Sequence, residues 1–136
     1  MSTKMTVRAL GNKRMELCHL DSGAKFVTDA PKDNNGQGSA FSPTDLLAVS
    51  LPTCILTVME IVAERDGIDL STANSSVEKE MSTDSPRRIS KLKVDISLPS
   101  SLTEPQRQKL ERVAHTCPVH HSIHPDIAVE VRFLYA

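Results

Sequence analysis

The sequence predicts an α+β fold in which antiparallel sheets pack around one long helix. Two observations support this prediction. Residues 46–63 form an almost uninterrupted apolar run of helical length. The segments on either side contain short runs that suit strands, several of them alternating in polarity, separated by turn-forming residues. The predicted order of elements is βββ-α-ββ-α-α-β, with strands and helices segregated along the chain.

Length and composition predict a single domain and exclude several functions. A chain of 136 residues buries one core but does not divide comfortably into two, so we expect one domain over residues 1–136. The net charge of -1, with interspersed signs, leaves no basic tract for nucleic acid. The N-terminus has no apolar run of signal-peptide length. We therefore expect a cytoplasmic protein that binds neither nucleic acid nor membrane.

Three short strands are predicted before residue 30. Turn-forming residues separate them, which favours an antiparallel meander. The following segment, residues 29–42, is too rich in Gly, Asn, Asp, Ser and Pro for regular structure. The predicted strands are Thr6–Leu10, Met15–His19 and Ala24–Thr28.

The long helix is predicted to begin at Ser42 and to run toward Gly67. Ser42 can cap the helix, Pro43 suits its first position, and Asp45 can return a carboxylate as in a capping box. The helix is apolar on nearly all sides, which predicts burial, in part by a second subunit. Between residues 46 and 63 its polar side chains are Ser50, Thr53, Thr57 and Glu60.

Pro52 lies in the middle of this helix and has no N–H to donate. We therefore expect the helix to kink or to restart there. A restart at Pro52 would place Cys54 in the first turn of a new helix.

A hairpin, two more helices and a last strand are predicted after the long helix. Thr103 and Gln106 predict a capped helix that reaches about His115, and Cys117-Pro118 predicts a short helix that ends near His124. Apolar and polar residues alternate in the second hairpin strand and in the last strand, as in half-buried strands. The predicted strands are Ser75–Met81, Ile89–Leu98 and a final one from Val129 to Tyr135.

Two cysteines, each beside a proline at a predicted helix opening, carry the strongest chemical signal. Cys54 follows Pro52, and Cys117 precedes Pro118. Unsatisfied N–H groups and the positive end of the helix dipole stabilise a thiolate at such a position and lower its pKa. Because a reduced compartment disfavours static disulfides, any bridge here is predicted to be transient and catalytic.

Each cysteine also has a structural interpretation. Cys54 shares an apolar helix face with Val58 and Ile61, and burial alone raises the pKa of a thiol. A reactive Cys54 therefore needs a cation or oriented amides close by, and without them it is a buried structural cysteine. Cys18, in a strand beside His19, is interpreted as a spare thiol.

A metal site is the alternative at the second cysteine. Cys117, His120 or His121, and His124 follow the spacing of one helix face and offer a thiolate and imidazoles to a zinc-like ion. Ordinary surface histidines on a helix show the same spacing, and His115 lies close by as well.

Three short motifs follow one another along the chain. They are Asp29-Ala30-Pro31 before a glycine-containing loop, Ser42-Pro43-Thr44-Asp45-Leu46-Leu47 followed by Cys54, and Cys117-Pro118-Val119-His120. These motifs, and the order of elements over nearly the whole chain, resemble the OsmC/Ohr family, the osmotically inducible and organic-hydroperoxide-resistance proteins.

The resemblance implies an OsmC-like fold and a redox function. The fold would be an intertwined homodimer with the long helices at its centre. Cys54 would be the thiolate that attacks an organic hydroperoxide and becomes a sulfenic acid, and Cys117 would resolve it to a disulfide. A dithiol would then reduce that disulfide. No cofactor is implied, and the role would be oxidative stress defence.

A basic and an acidic residue complete the site that the resemblance implies. Members of the family hold the thiolate with an arginine from the N-terminal strands, for which Arg14 is our choice, with Arg8 and Lys13 as alternatives. The hydroperoxidases carry a glutamate directly after the helix-start proline, where this chain has Thr44, with Asp45 one position later. The chain is therefore closer to the less characterised OsmC-like branch. Asp45 is the predicted site acid, with helix capping as its alternative role.

A binding function is the alternative to catalysis. A dimeric module of the same fold, having lost the glutamate, would bind a small apolar ligand between its subunits.

Overall fold

The first 46 residues form a three-stranded antiparallel meander and a long loop in the computed structural model, which describes all 136 residues. Strands β1 (Met5–Gly11), β2 (Arg14–His19) and β3 (Lys25–Asp29) pair in chain order. The loop that follows contains one short 3₁₀ turn, Lys32–Asn34. The predicted meander is therefore confirmed.

One face of this meander is apolar and exposed. In the pairing of the strands, Val7 of β1 lies opposite Leu17 of β2, which lies opposite Phe26 of β3. Residues directly opposite each other in an antiparallel pair share a face. Val7 is 66% exposed and Phe26 is 46% exposed. The sequence pattern thus builds an apolar surface that the chain leaves in contact with solvent.

Helix α1 (Pro43–Arg65) begins at the predicted cap. The Ser42 hydroxyl accepts a hydrogen bond from the Asp45 N–H at 3.1 Å, and Asp45 Oδ2 accepts one from the Ser42 N–H at 3.0 Å. This reciprocal pair is the predicted capping box.

The helix passes through Pro52 without interruption, so the prediction of a restart is wrong. Proline removes one hydrogen bond from the helix, but the neighbouring Leu51 and Ile55 are fully buried, and the free energy of that packing outweighs the loss. Cys54 therefore lies at the middle of α1 and not in a first turn. A bend at Pro52 stays a prediction.

The second sheet, in residues 74–135, is mixed and not antiparallel as predicted. Strands β4 (Asn74–Met81) and β5 (Ile89–Leu98) form the predicted antiparallel hairpin, whereas β6 (Ala128–Tyr135) pairs with β5 in parallel. The reason lies in the connection. Helix α2 (Glu104–Ala114) lies between β5 and β6, so the chain crosses over and β6 runs in the same direction as β5.

The short helix predicted to open at Cys117 is absent, and turns occupy residues 115–116 and 118–122. Two bonds of helical spacing form there, from the His121 N–H to the Cys117 carbonyl and from the Ile123 N–H to the Val119 carbonyl. They are not consecutive, and Pro125 cannot donate to extend them. The segment from Cys117 to His124 has the sequence signals of a helix but is too short to nucleate one.

Residues 47–136 contain the hydrophobic core. Side chains from α1, the β5 strand and α2 form one contiguous cluster, in which the alternating apolar residues of β5 are almost fully buried. The chain separates into two compact units, Met1–Leu46 and Leu47–Ala136. The expectation of a single domain stays a prediction. The most deeply buried side chains of the core are Leu51, Ile55, Met59, Leu92, Val94, Ile96, Leu98, Leu110 and Cys117.

By length and composition alone, α1 could cross a membrane. The core helix of a soluble protein has the same properties, so one such helix is weak evidence for a membrane protein.

Candidate thiol site

The structure brings the two predicted cysteines together. The Cys54 and Cys117 side chains lie within hydrogen-bonding reach of each other, and both are free thiols. Cys117 is 0% exposed and belongs to the core, whereas Cys54 is partly buried and packs against it. Sixty-two positions separate the two residues along the chain, so their contact is a product of the tertiary fold.

A tight turn places the Cys117 sulfur. Helix α2 ends at Ala114, the N–H of its capping residue His115 donates to the Arg112 carbonyl at 3.2 Å, and turns follow from Pro118. The backbone N–H groups of Val119 and His120 point to the Cys117 sulfur, as the N–H groups of a helix opening would. The oriented amides expected from the sequence are therefore present although the helix is not.

Burial raises the pKa of Cys117 above its ordinary value of 9.0, and the hydrogen bond with Cys54 is the second cause. The N–H groups of His120 and Val119 act in the opposite direction but do not outweigh burial. The prediction of a stabilised thiolate at Cys117 is therefore wrong. At neutral pH Cys117 is a protonated thiol that can donate its hydrogen to the Cys54 sulfur.

Cys54 lies on an apolar stripe of α1 that the core covers only in part. Leu47, Cys54, Val58 and Ile61 follow one helix face, beside the fully buried face that carries Ile55. Leu47 is 39% exposed and Ile61 is 47% exposed. The sulfur is thus flanked by apolar side chains that solvent reaches in a single chain.

The histidines form a separate open cavity of about 500 Å³. His124 Nδ1 accepts a hydrogen bond from the Asp126 N–H at 3.0 Å, which occupies one imidazole nitrogen. No group of three or more His, Cys, Asp or Glu side chains is placed to hold a metal ion. The Cys117-histidine metal hypothesis therefore has no geometric support. The histidines that line the cavity are His115, His120, His121 and His124.

The three basic candidates lie on or beside the first two strands. Arg14 begins β2 and is exposed, Lys13 lies in the preceding turn with a φ of 63°, and Arg8 pairs with Glu16 at 3.2 Å. Arg14 lies directly opposite Asp29 in the pairing of β2 with β3. Asp45 occupies the helix cap described above, and its role as a site acid stays a prediction.

Asp29 is a buried residue for which the sequence predicts no role in the site. It is 1% exposed, and its Oδ2 atom accepts hydrogen bonds from the Ser39 N–H at 3.0 Å and the Ser39 hydroxyl at 2.5 Å. These bonds, more than the charge of Arg14, lower the pKa of Asp29. In the sequence, only the Asp29-Ala30-Pro31 motif points to Asp29. No periodic pattern connects Asp29 to Ser39, ten residues later.

The fold and the site define an α+β protein with two cysteine thiols within hydrogen-bonding reach, one in the core and one packed against it. A model of the OsmC family, described as OsmC-like protein, matches residues 36–132. The chain belongs to this family. Proteins of the family are typically soluble, and α1 alone gives this chain no clear membrane-protein character.

Solved structures of the same fold support the assignment. A candidate osmotic stress induced and detoxification response protein from Psychrobacter arcticus 273-4 is 41% identical, with a TM-score of 0.91, over 98% of this chain and 96% of that one. An organic hydroperoxide resistance protein OsmC from Legionella pneumophila is 20% identical, with a TM-score of 0.74, over 98% and 97% of the chains.

A third solved structure has the same fold at low sequence identity. The organic hydroperoxide resistance protein OhrB of Bacillus subtilis is 19% identical, with a TM-score of 0.70, over 98% of both chains. No curated protein matches the sequence.

Proposed function

We propose that this protein is a thiol-dependent peroxidase that reduces organic hydroperoxides and serves in oxidative stress defence. The contact between Cys54 and Cys117 is the observation that carries the proposal. A partly exposed thiol beside a fully buried one suits a reaction in which the first sulfur attacks and the second resolves.

In the first step, the Cys54 thiolate attacks the terminal oxygen of the hydroperoxide. The O–O bond breaks, the sulfur is oxidised by two electrons to a sulfenic acid, and the organic oxygen leaves as an alcohol after taking a proton. Arg14 is the proposed cation that holds the thiolate, since arginine stays charged and offers several donors. Asp45 is the proposed acid of the site.

In the second step, the Cys117 thiol condenses with the Cys54 sulfenic acid to give a disulfide and water. A dithiol then reduces the disulfide to two thiols and is itself oxidised to a disulfide. Because Cys117 is buried, the dithiol attacks the Cys54 sulfur and Cys117 leaves. The sulfurs and the substrates carry all the electrons, so no cofactor takes part.

The apolar surroundings of Cys54 favour an organic substrate. Leu47, Val58 and Ile61 lie along the same helix face as the sulfur, and burial of apolar area on them stabilises a hydrocarbon group by about 25 cal/mol per Å². Hydrogen peroxide has no such group.

The exposed apolar surfaces support a homodimer. The partly covered stripe of α1 and the apolar face of the meander are each a surface that a second copy of the chain would bury. The proposed protein is a cytoplasmic homodimer whose other partners are an organic hydroperoxide and a dithiol, with neither nucleic acid nor membrane among them.

A thiol titration tests the catalytic proposal. One equivalent of cumene hydroperoxide should remove two thiols from the reduced protein and join Cys54 to Cys117, as seen by peptide mass spectrometry. Cys117→Ser should stop at a Cys54 sulfenic acid that dimedone traps, and Cys18→Ser is the matched control that should behave as the parent. Undiminished peroxide consumption by Cys54→Ser would contradict the proposal.

A binding function is the second candidate, favoured by the apolar stripe around Cys54 and by Thr44 in the place of the family glutamate. A dimeric module would then hold a small apolar ligand without thiol chemistry. Thermal stabilisation by a medium-chain fatty acid, with no loss of thiols on addition of hydroperoxide, is the result that supports this second function over the first.

A further inference from the structure

The cavity lined by the four histidines has no role in the proposed function. It has a volume of about 500 Å³, is open to solvent, and is lined only by residues from 115–129, which lie in one unit of the chain. Neither Cys54 nor Cys117 lines it, so it is separate from the thiol pair. Ligand pockets in proteins have volumes in this range and combine apolar walls with a few polar groups.

Part of the lining is a fixed apolar surface. Ile123, Ile127 and Val129 line the cavity, are half-buried and pack against the hydrophobic core. Because the core holds these side chains, their exposed area is already formed before a ligand arrives. Burial of a hydrocarbon group on such a surface is favourable. The apolar part of the cavity therefore favours a ligand that has a hydrocarbon chain.

His124 is fixed as a hydrogen-bond donor at this cavity. Its Nδ1 atom accepts the Asp126 N–H at 3.0 Å. A nitrogen that accepts carries no proton, so the single proton of the neutral ring is on Nε2, which can then only donate. Such a nitrogen has no free lone pair for a metal ion. His124 therefore favours a ligand with an acceptor oxygen.

The other imidazoles add donors, and they can add positive charge. The rings of His120 and His121 stack with their centroids 6.4 Å apart. A neutral imidazole has one donor, whereas one that binds a proton has two donors and a positive charge.

No acidic side chain lines the cavity, and the carboxylate beside it, Asp126, is 85% exposed with its Oδ2 atom 3.8 Å from His124 Nδ1. No Lys or Arg lines the cavity either, so no permanent positive charge offsets a multiply charged anion. The polar part of the lining therefore suits an anion with a single charge.

We propose that this cavity binds a small aliphatic carboxylate, with one carboxylate oxygen on the His124 Nε2–H and the hydrocarbon chain against Ile127 and Val129. A carboxylate only accepts hydrogen bonds and carries one negative charge at neutral pH. Its chain covers the apolar part of the lining. The inference does not depend on the proposed function, because neither thiol takes part, and it assigns a binding site and no reaction.

The test is an NMR titration of the full-length, ¹⁵N-labelled, reduced protein with sodium hexanoate. Amide signals of residues 115–129 should shift, and hexanoate should bind at least about tenfold more tightly than 1-hexanol, which lacks the charge, or inorganic phosphate, which lacks the chain. From acetate to hexanoate, affinity should rise about fourfold for each methylene that is buried. Equal binding of hexanoate and 1-hexanol, or tighter binding of phosphate, would overturn the proposal.

His124→Asn removes the donor and keeps the turn. An asparagine carbonyl accepts the N–H two residues later, as Nδ1 does here, but its side chain does not reach the position of Nε2. The variant should bind both acetate and hexanoate about tenfold more weakly, the loss typical of a hydrogen bond to a charged group. The matched control is His19→Asn, because His19 Nδ1 also accepts a backbone N–H, that of Ser22 at 3.3 Å, away from the cavity. It should change neither affinity.

A second variant tests the apolar part of the site. Ile127→Ala should weaken hexanoate about tenfold and leave acetate within about twofold, because only the longer ligand reaches the apolar surface. Should Ile127→Ala fail to fold, Ile127→Val replaces it, with a loss of about threefold for hexanoate alone. An equal loss for the two ligands would contradict the proposed orientation.

The remaining outcomes separate this site from the other functions. Hexanoate binding that survives His124→Asn, or signal shifts confined to α1, would place the ligand elsewhere and overturn the proposal. Stoichiometric Zn²⁺ binding that His124→Asn abolishes would show that Nε2 offers a lone pair, and it would overturn the proposal as well. Failure of the thiols to react with hydroperoxide contradicts the proposed function alone and leaves the expected hexanoate binding unchanged.

Discussion

The two units of the chain treat their apolar side chains in opposite ways. In residues 47–136, apolar residues of α1, β5 and α2 meet in one core that encloses Cys117. In residues 1–46, the apolar face of the meander is exposed, and the most deeply buried side chains are polar, those of Asp29 and Ser42. The first unit is thus built around a polar, hydrogen-bonded centre and the second around packing. The thiol pair belongs to the second.

The largest difference between the two units is expected when one leucine in each is truncated. Leu110→Ala in the core should cost about 2–5 kcal/mol of unfolding free energy, because it leaves a cavity. Leu20→Ala, at a residue 47% exposed in the first unit, should cost less than about 0.5 kcal/mol. Urea unfolding measures both. Equal losses would mean that a second chain covers the exposed unit in solution.

The next test compares the two thiols, which differ in burial. In the native protein Cys54 should react with iodoacetamide at least about tenfold faster than Cys117, because Cys117 is buried and its pKa is raised. Time-resolved alkylation with peptide mass spectrometry measures the ratio, and the same experiment in denaturant is the control, where the ratio should approach one. Faster reaction of Cys117 would reverse the assigned roles.

Removal of a helix cap should cost less unfolding free energy than the core truncation, and the cost should be equal at the two caps. Ser42→Ala at the start of α1 and Thr103→Ala at the start of α2 each remove a capping box and should each cost about 1 kcal/mol. Chemical denaturation measures the loss. A much larger loss at Ser42, which is buried, would show that its hydroxyl holds more than the helix end.

The two units should lose stability at opposite ends of the pH scale, the first at acid pH and the second at alkaline pH. The folded pKa of Asp29 is lowered, so its contribution is present above the ordinary value of 3.8 and is lost as the pH falls through the folded pKa. The folded pKa of Cys117 is raised, so its contribution is present below 9.0 and is lost as the pH rises through the folded pKa.

Melting temperatures of two variants check these directions. Asp29→Asn should flatten the acid limb of the melting profile and leave the alkaline limb unchanged, whereas Cys117→Ala should flatten only the alkaline limb. Flattening of the wrong limb by either variant would contradict the assigned shift.

Much of the fold could be predicted because it depends on local signals. The alternation of β5, the capping box at Ser42 and the turn formers before residue 30 each act over a few residues. The three errors concern the helix at Pro52, the helix at Cys117 and the direction of β6. Burial outweighed the local preference at Pro52, and the connection through α2 set the direction of β6. At Cys117 the segment is too short to nucleate a helix.

The candidate site divides in the same way. By itself the sequence determined the elements, the cap formed by Ser42 and Asp45, and the resemblance that named Cys54, Cys117 and Arg14. Only the tertiary structure decided that the two sulfurs touch, that burial outweighs the amides at Cys117, and that Asp29 is buried opposite Arg14. The physical reason is range: propensity and capping act between near neighbours, whereas burial and charge pairing depend on residues far apart in the chain.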